Sequence, residues 1–210
     1  MRAPVFKFAM LVDSQIEALS RQDYALRTGR AKHLLEELYP LSRFAMALKF
    51  PGSKVEVEAF EHNEPVDGVI HFLDEYSRKI HVEVTYVHSY EDALRRELMW
   101  RTGSTPGTGR IYRDKRSGKI VALSELEPYQ VGIDNLATNI ADLHKKKAQK
   151  QYPKGTNLLV AFDDPTFFGQ DRWRALFTAL RARTDLSGGC FSDTHIINCS
   201  TNELMSNANF

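Results

Sequence analysis

The chain has 210 residues and 42% hydrophobic residues, enough to bury one substantial core. Its 28 Lys and Arg residues balance 27 Asp and Glu residues, so net charge alone indicates neither a nucleic-acid nor a membrane partner. Two cysteines, Cys190 and Cys199, are too few to suggest a disulfide framework or a zinc site. Lys7 interrupts the N-terminal apolar run, so we expect a cytoplasmic protein with neither signal peptide nor membrane span.

The first half of the chain combines helical spacing with segments of β type. Apolar residues at helical spacing predict a long helix from about Ser14 to Leu38, broken near Gly29 and ended by Pro40. Polar turns then separate segments rich in β-branched residues. These segments are 54–60, 66–73 and 79–87. We expect them to form an antiparallel meander, because adjacent strands joined by short turns run in opposite directions.

The second half alternates helices and strands. Ser89 is placed to cap a helix that ends near Arg101, and we assign 102–125 to a loop and β-hairpin insertion. The remaining predicted elements are a helix from Pro128 towards Pro153, a strand at 156–162, a helix capped by Asp171, a strand at 194–200 and a flexible tail at 201–210. This order predicts one α/β domain with a central mixed β-sheet flanked by helices.

Polar residues lie inside the two strands 66–73 and 79–87. Side chains alternate across a strand, so His81, Glu83 and Thr85 share one face. Pairing through the turn places Asp67 opposite Thr85 and His71 opposite His81, with Glu83 diagonal to Asp67. Two neighbouring carboxylates repel each other unless a proton or cation compensates, and Mg²⁺ or Mn²⁺ prefers such oxygen ligands. The alternative is the ordinary solvated face of an antiparallel sheet.

The motif formed by these residues resembles the PD-(D/E)xK, or restriction-endonuclease-like, nuclease superfamily. Asp67 follows Pro65-Val66, and Glu83-Val84-Thr85 follows after a tight turn, within a match over about residues 30–100. Glu37, on the preceding helix, is similar to the extra carboxylate of many members. The resemblance implies a restriction-endonuclease-like fold, with Mg²⁺ (or Mn²⁺) held by Glu37, Asp67 and Glu83. It also implies hydrolysis of phosphodiester bonds, in DNA more than in RNA.

The chain departs from the family pattern at Thr85, which stands where the family has a lysine. A threonine hydroxyl is neutral and cannot repeat the electrostatic role of that lysine. Arg95 or Arg96, on the following helix, is a candidate substitute, so the expected catalytic residues are Asp67, Glu83, Thr85 and Arg96. His81 lies on the same strand face, either as a proton relay or as an ordinary surface histidine.

Basic residues concentrate in two segments, 95–119 and 145–154. A local excess of positive charge can follow a phosphate backbone even in a nearly neutral protein. The residues that we expect to contact nucleic acid are Arg110, Arg113, Lys115, Arg116, Lys145 and Lys146. Solvated surface is the alternative for both segments. The glycine-rich stretch 102–110 lacks the lysine and the strand-to-helix context of a P-loop, which leaves a flexible connection or a substrate-contacting loop.

The leading hypothesis is therefore a metal-dependent nuclease that acts on DNA. The alternative from another class is a catalytically inactive module of the same fold that binds nucleic acid or a protein partner, and Thr85 is the best argument for it. An unrelated α/β enzyme acting on small phosphorylated molecules lacks a recognisable nucleotide-binding signature. No membrane partner is expected, and a homodimer stays open.

Overall fold

The computed structural model describes residues 1–61, 64–74, 77–106, 109–125, 128–186 and 189–206. The strands are β1 (Arg2–Pro4), β2 (Val55–Ala59), β3 (Gly68–Phe72), β4 (Arg78–Tyr86), β5 (Ile111–Arg113), β6 (Ile120–Ala122), β7 (Thr156–Phe162), β8 (Asp193–Asn198) and β9 (Glu203–Ser206). The helices are α1 (Val5–Glu17), α2 (Arg21–Leu26), α3 (Arg30–His33), α4 (Tyr39–Ala47), α5 (Tyr90–Thr102), α6 (Tyr129–Ala148) and α7 (Gln170–Arg181). A π-helical turn, Leu34–Leu38, joins α3 to α4. Within the described residues, no helix combines the length and the apolar character needed to cross a membrane.

Seven strands form one mixed sheet in the order β1-β2-β3-β4-β7-β8-β9. The strands β1 to β4 pair antiparallel, β4, β7 and β8 pair parallel, and β9 returns antiparallel to β8. Strands β5 and β6 form a separate hairpin between α5 and α6. This arrangement confirms the predicted α/β fold with a mixed sheet, and it confirms the meander and the hairpin.

Alternation along the central strands separates the core into two layers. Val82, Val84 and Tyr86 of β4 pack with residues of α1 and α4 on one face of the sheet. On the other face, Leu158 and Val160 of β7 pack with α6 and α7. Because neighbouring side chains on a strand point to opposite faces, Glu83 and Thr85 lie on the face that α6 covers.

The predicted helix over 14–38 is wrong in its limits. Helix begins already at Val5 and continues to Ala47, interrupted by short connections. The expected break at Gly29 is present, with φ of +52° just before α3. Pro40 does not end the helical region. It lies in the first turn of α4, where a proline needs no hydrogen-bonding N–H of its own.

The prediction of a flexible tail over 201–210 is wrong for Glu203–Ser206, because these residues form β9 and pair with β8. Residues 207–210 lie outside the described part of the chain. The short edge strand β1 was likewise not predicted. Strands of three or four residues have too little alternation to identify by pattern, and pairing with a neighbour decides whether they form.

The predicted register of β3 and β4 is also wrong. The structure pairs Val69 with His81 and His71 with Lys79, a shift of two residues from the expected alignment. Side chains repeat every two residues along a strand, so this shift keeps each residue on its expected face. Its consequence is local: continuing the observed register places Asp67 opposite Glu83 instead of opposite Thr85.

Candidate functional site

Asp67 and Glu83 lie side by side at the start of β3 and the middle of β4. The Asp67 backbone N–H donates to the Val82 carbonyl oxygen at 3.1 Å. Its side chain accepts a hydrogen bond from the Val84 N–H at 2.7 Å, which fixes the carboxylate beside β4. Gly68 allows the close packing of β3 on β2, since a Cβ at this position would lie 2.9 Å from the Glu58 carbonyl oxygen. The backbone thus fixes where the first carboxylate lies.

The electrostatics of Asp67 show that negative charge is crowded at this point. Burial, the charge of Glu83 and the charge of Glu37 together raise the pKa of Asp67 to about 6. The hydrogen bond from Val84 and the positive charge of Lys147 act in the opposite direction but do not compensate fully. Three carboxylates and one ammonium group therefore act on one another here. We call Glu37, Asp67, Glu83 and Lys147 the carboxylate cluster.

Lys147, which was not predicted as a site residue, is the cation of this cluster. Its Nζ donates a hydrogen bond to Glu83 Oε1, and the Tyr152 hydroxyl donates to the same oxygen at 3.1 Å. The Glu83 side chain is only 8% exposed, so this ion pair is largely shielded from solvent. A sequence signal was present: Lys147 follows the buried residues Ile140 and His144 at helical spacing, which turns it inwards.

A cleft of about 490 Å³ opens beside this cluster. Among its lining residues are Glu37, Thr85, Lys147 and three further lysines, Lys32, Lys146 and Lys150. Glu83 does not line the cleft itself but pairs with the lining residue Lys147. Glu37 is oriented by His33, whose Nδ1 lies 2.7 Å from Glu37 Oε2, and this hydrogen bond raises the pKa of His33. We call this opening the lysine cleft; it combines carboxylates with positive charge.

The donor set of the cluster fits a hard divalent cation. Carboxylate oxygens are the ligands that Mg²⁺ and Mn²⁺ prefer, and a bound cation would offset the repulsion that raises the pKa of Asp67. Across the described ranges, however, no three His, Cys, Asp or Glu side chains converge into a ready-formed metal site. Binding of a cation by Glu37, Asp67 and Glu83 would therefore require side-chain rearrangement, including movement of Lys147 from Glu83.

The arginines predicted to replace the family lysine lie elsewhere. Arg95 donates to the Pro106 carbonyl oxygen at 2.9 Å, which attaches α5 to the following loop. Burial and the neighbouring charge of Arg27 lower the pKa of Arg96. Arg96 Nε is buried and has no hydrogen-bond partner among the residues that the structure describes. Asp92 and Glu36 are the acidic groups that act on Arg96.

Arg27 belongs to a second charged group, which we call the arginine network. It lies 3.6 Å from Glu36, donates to Asp163 at 2.5 Å and stacks over the ring of Tyr86 at 4.8 Å. The Tyr86 hydroxyl also donates to Asp163. Burial alone would raise the pKa of Glu36, but His88 and Arg27 lower it. In this network Glu36 and Asp163 each have a positively charged partner, although the buried Nη1 of Arg27 has no hydrogen-bond partner among the described residues.

The residues predicted to bind nucleic acid lie in two places. On the hairpin, Arg113 pairs with Glu97 at 2.5 Å and the Arg110 guanidinium lies over the Tyr112 ring at 5.3 Å. Lys115 and Arg116 are exposed in the hairpin turn. Lys145 and Lys146 are exposed on α6, and Lys146 lines the lysine cleft. Residues 107–108 of the glycine-rich stretch lie outside the described chain.

Comparisons of this chain with models of protein families, with curated proteins and with solved structures found no match.

Proposed function

We propose that this protein is a metal-dependent nuclease of the restriction-endonuclease-like type, hydrolysing phosphodiester bonds in DNA. The observation that supports it most is the placement of Lys147 beside Glu83 and Asp67. The sequence resemblance lacked a lysine, because Thr85 stands at its position. An ammonium group from α6 now lies at the second carboxylate of the motif, 64 residues away in sequence.

The mixed sheet and its flanking helices agree with the proposed fold type. A three-stranded meander, a helical crossover and a parallel strand place the two motif carboxylates on one face. The lysine cleft adds exposed positive charge next to that face, which suits a phosphate backbone. Carboxylates alone would repel such a substrate.

Glu37, Asp67 and Glu83 are the residues that would hold Mg²⁺ or Mn²⁺. A bound divalent ion supplies charge neutralisation at the phosphate and lowers the pKa of bound water. Lys147, released from Glu83, would donate to a phosphate oxygen and stabilise the negative charge that develops there. Lys146 and Lys150 would position the neighbouring phosphates, and Thr85 would offer a neutral hydroxyl in the cleft.

The test is cleavage of supercoiled and single-stranded DNA by the wild type and by Glu83→Gln, with Mg²⁺, with Mn²⁺ and with EDTA. We expect cleavage by the wild type only when metal is present, and a loss of at least about 100-fold in the variant. The matched control is Glu56→Gln, a glutamate on the same sheet face whose partner is Arg2 at the surface. It should retain activity.

A metal-binding measurement tests the same site without relying on activity. Mn²⁺ should raise the melting temperature of the wild type and of Glu56→Gln, and should leave that of Glu83→Gln unchanged, because ligands that bind only the native state stabilise it. Metal-independent cleavage, or equal activity of the wild type, Glu83→Gln and Glu56→Gln, would contradict a role for Glu83 in metal binding and cleavage.

The second candidate function is a non-catalytic module that binds nucleic acid. Thr85 and the unpaired positive charges favour it: Lys115, Arg116, Lys145 and Lys146 make no ion pair with any described residue. DNA binding that weakens with salt, without cleavage under any metal condition, would select this function instead.

A further inference from the structure

A second cleft, of about 460 Å³, adjoins the lysine cleft. It lies beyond the carboxyl ends of the parallel strands β4 and β7, between the first turns of α5 and α6 and the segment before α7. Ligands of open α/β sheets commonly bind at this end of the strands. Val87 and Asn139 line both clefts, so the two openings are neighbours on the surface. We call the second one the aromatic cleft.

Flat, exposed groups form one wall of the aromatic cleft. Tyr129, which lines the cleft, is 46% exposed, and Phe168, which follows the lining residue Phe167 in the chain, is 60% exposed. The guanidinium of Arg172 lies 4.6 Å from the Tyr129 ring centroid and 5.4 Å from that of Phe168. Aromatic rings and arginine planes are the groups on which proteins stack unpaired nucleobases. Arg172 lies against both rings, and the exposed fractions of Tyr129 and Phe168 leave the rest of this stacking surface open to solvent.

The aromatic cleft is mainly acidic and the lysine cleft contains four lysines, so the first suits a neutral base and the second a phosphate group. The aromatic cleft has four carboxylates and two guanidinium groups along its lining: Glu91, Asp92, Asp163, Asp164, Arg95 and Arg172. Such a lining disfavours a phosphate group. It accommodates a neutral base whose amino groups donate hydrogen bonds to carboxylates. The phosphate is favoured in the adjoining lysine cleft, where Lys146, Lys147 and Lys150 lie.

We infer that the aromatic cleft binds one unpaired nucleobase by stacking on Tyr129, Arg172 and Phe168, while the adjoining phosphate lies in the lysine cleft. The inference rests on the proposed function and deepens it by naming the substrate class. A base held in this cleft is not paired in a duplex, so single-stranded DNA is the preferred substrate over double-stranded DNA.

The test measures binding in EDTA, where no cleavage interferes, by fluorescence anisotropy of a single strand of about 12 nucleotides. We expect the Tyr129→Ala/Phe168→Ala variant to bind the strand about 10- to 100-fold more weakly than the wild type. Binding to a duplex of the same length should change by less than about 2-fold. The matched control is Tyr24→Ala/Phe50→Ala, which removes a tyrosine and a phenylalanine that are 54% and 51% exposed elsewhere on the surface.

An abasic strand separates stacking from an indirect structural effect. The wild type and the Tyr129→Ala/Phe168→Ala variant should bind it equally, because it offers no base to stack. An unchanged affinity of the variant for the ordinary strand, or an equal loss on single strand, duplex and abasic strand, overturns the inference.

Together with the cleavage assay of the proposed function, this binding experiment distinguishes failure of the inference from failure of that function. Metal-dependent cleavage that requires Glu83, together with unchanged single-strand binding in the aromatic variant, overturns only the base-binding inference. A wild type that neither cleaves DNA nor binds single strands overturns both.

Discussion

The carboxylate cluster and the arginine network differ in how completely their charges are paired. In the arginine network, Arg27 contacts Glu36 and Asp163 and stacks on Tyr86. In the carboxylate cluster, Glu83 pairs with Lys147 and Glu37 with His33, whereas Asp67 has no ion-pair partner among the described residues and its pKa is raised to about 6. Both groups are partly buried. One is arranged to compensate its charges, whereas the other keeps a surplus of negative charge at the edge of a cleft.

This difference is the one we expect between a structural charge network and a site that binds a ligand. Buried charges that find partners hold elements together, although their net contribution to stability is modest. Buried like charges cost free energy, and proteins tolerate them chiefly where a ligand or reaction uses them. The arginine network fastens the end of α2 to the loop after β7. In the carboxylate cluster, the Lys147–Glu83 pair likewise joins α6 to β4, but burial and the neighbouring carboxylates still raise the pKa of Asp67.

The largest effect should follow from removing Lys147. Under the proposed nuclease function, we expect Lys147→Ala to lower the rate of metal-dependent DNA cleavage by about 100- to 1,000-fold at saturating DNA, because its ammonium group would stabilise negative charge in the transition state. The control is Lys7→Ala, at an exposed lysine of α1, the helix that packs on the opposite face of the sheet. Single-turnover cleavage rates check this, with circular dichroism to verify folding. Equal rates for both variants would contradict a role for Lys147 in the reaction.

The next largest effect should be a lower free energy of unfolding when the arginine network is disrupted. We expect Arg27→Met to lower the free energy of unfolding by about 2 to 4 kcal/mol, since it leaves Glu36 buried and Asp163 without its cation. Urea denaturation measures this directly. The control is Arg21→Met, at an exposed position at the start of the same helix, with an expected change below about 0.5 kcal/mol. Similar stabilities of the two variants would show that the network contributes little.

The smallest expected effect is a pH-dependent change in the free energy of unfolding, caused by the Asp67 carboxylate. The pKa of Asp67 is about 6 in the folded protein, above its ordinary value of 3.8, so the folded state binds more protons between these values. Stability from this group therefore falls as pH rises through that window. We expect Asp67→Asn to raise the free energy of unfolding by about 1 to 3 kcal/mol at pH 8, with little change at pH 4.

Denaturation of Asp67→Asn at the two pH values provides the measurement. The Asn side chain can still accept the hydrogen bond from Val84, so packing is largely preserved. Asp171→Asn, at an exposed position on α7, is the control, with a change below about 0.5 kcal/mol at either pH. A gain for Asp67→Asn that is equal at pH 4 and pH 8 would not come from its charge.

Many of the strands and helices could be predicted from the amino-acid sequence alone. The segments 54–60, 66–73 and 79–87 each correspond to an observed strand, and Ser89 caps α5: its hydroxyl accepts from the Asp92 N–H, and its own N–H donates to the Asp92 carboxylate. Alternation and capping are local properties, determined by residues close in sequence. For the same reason, the sequence assigned Glu83 and Thr85 correctly to one strand face.

Other features depended on contacts between distant residues. The register of β3 and β4 could not follow from alternation, because a shift of two residues leaves every side chain on the same face. Lys147 reaches Glu83 only because the crossover through α5 and α6 returns the end of α6 to the sheet. Composition, periodicity and motif residues thus determined the strands and the carboxylates. Only tertiary packing decided which cation lies beside them, since helix and strand meet there across 64 residues of chain.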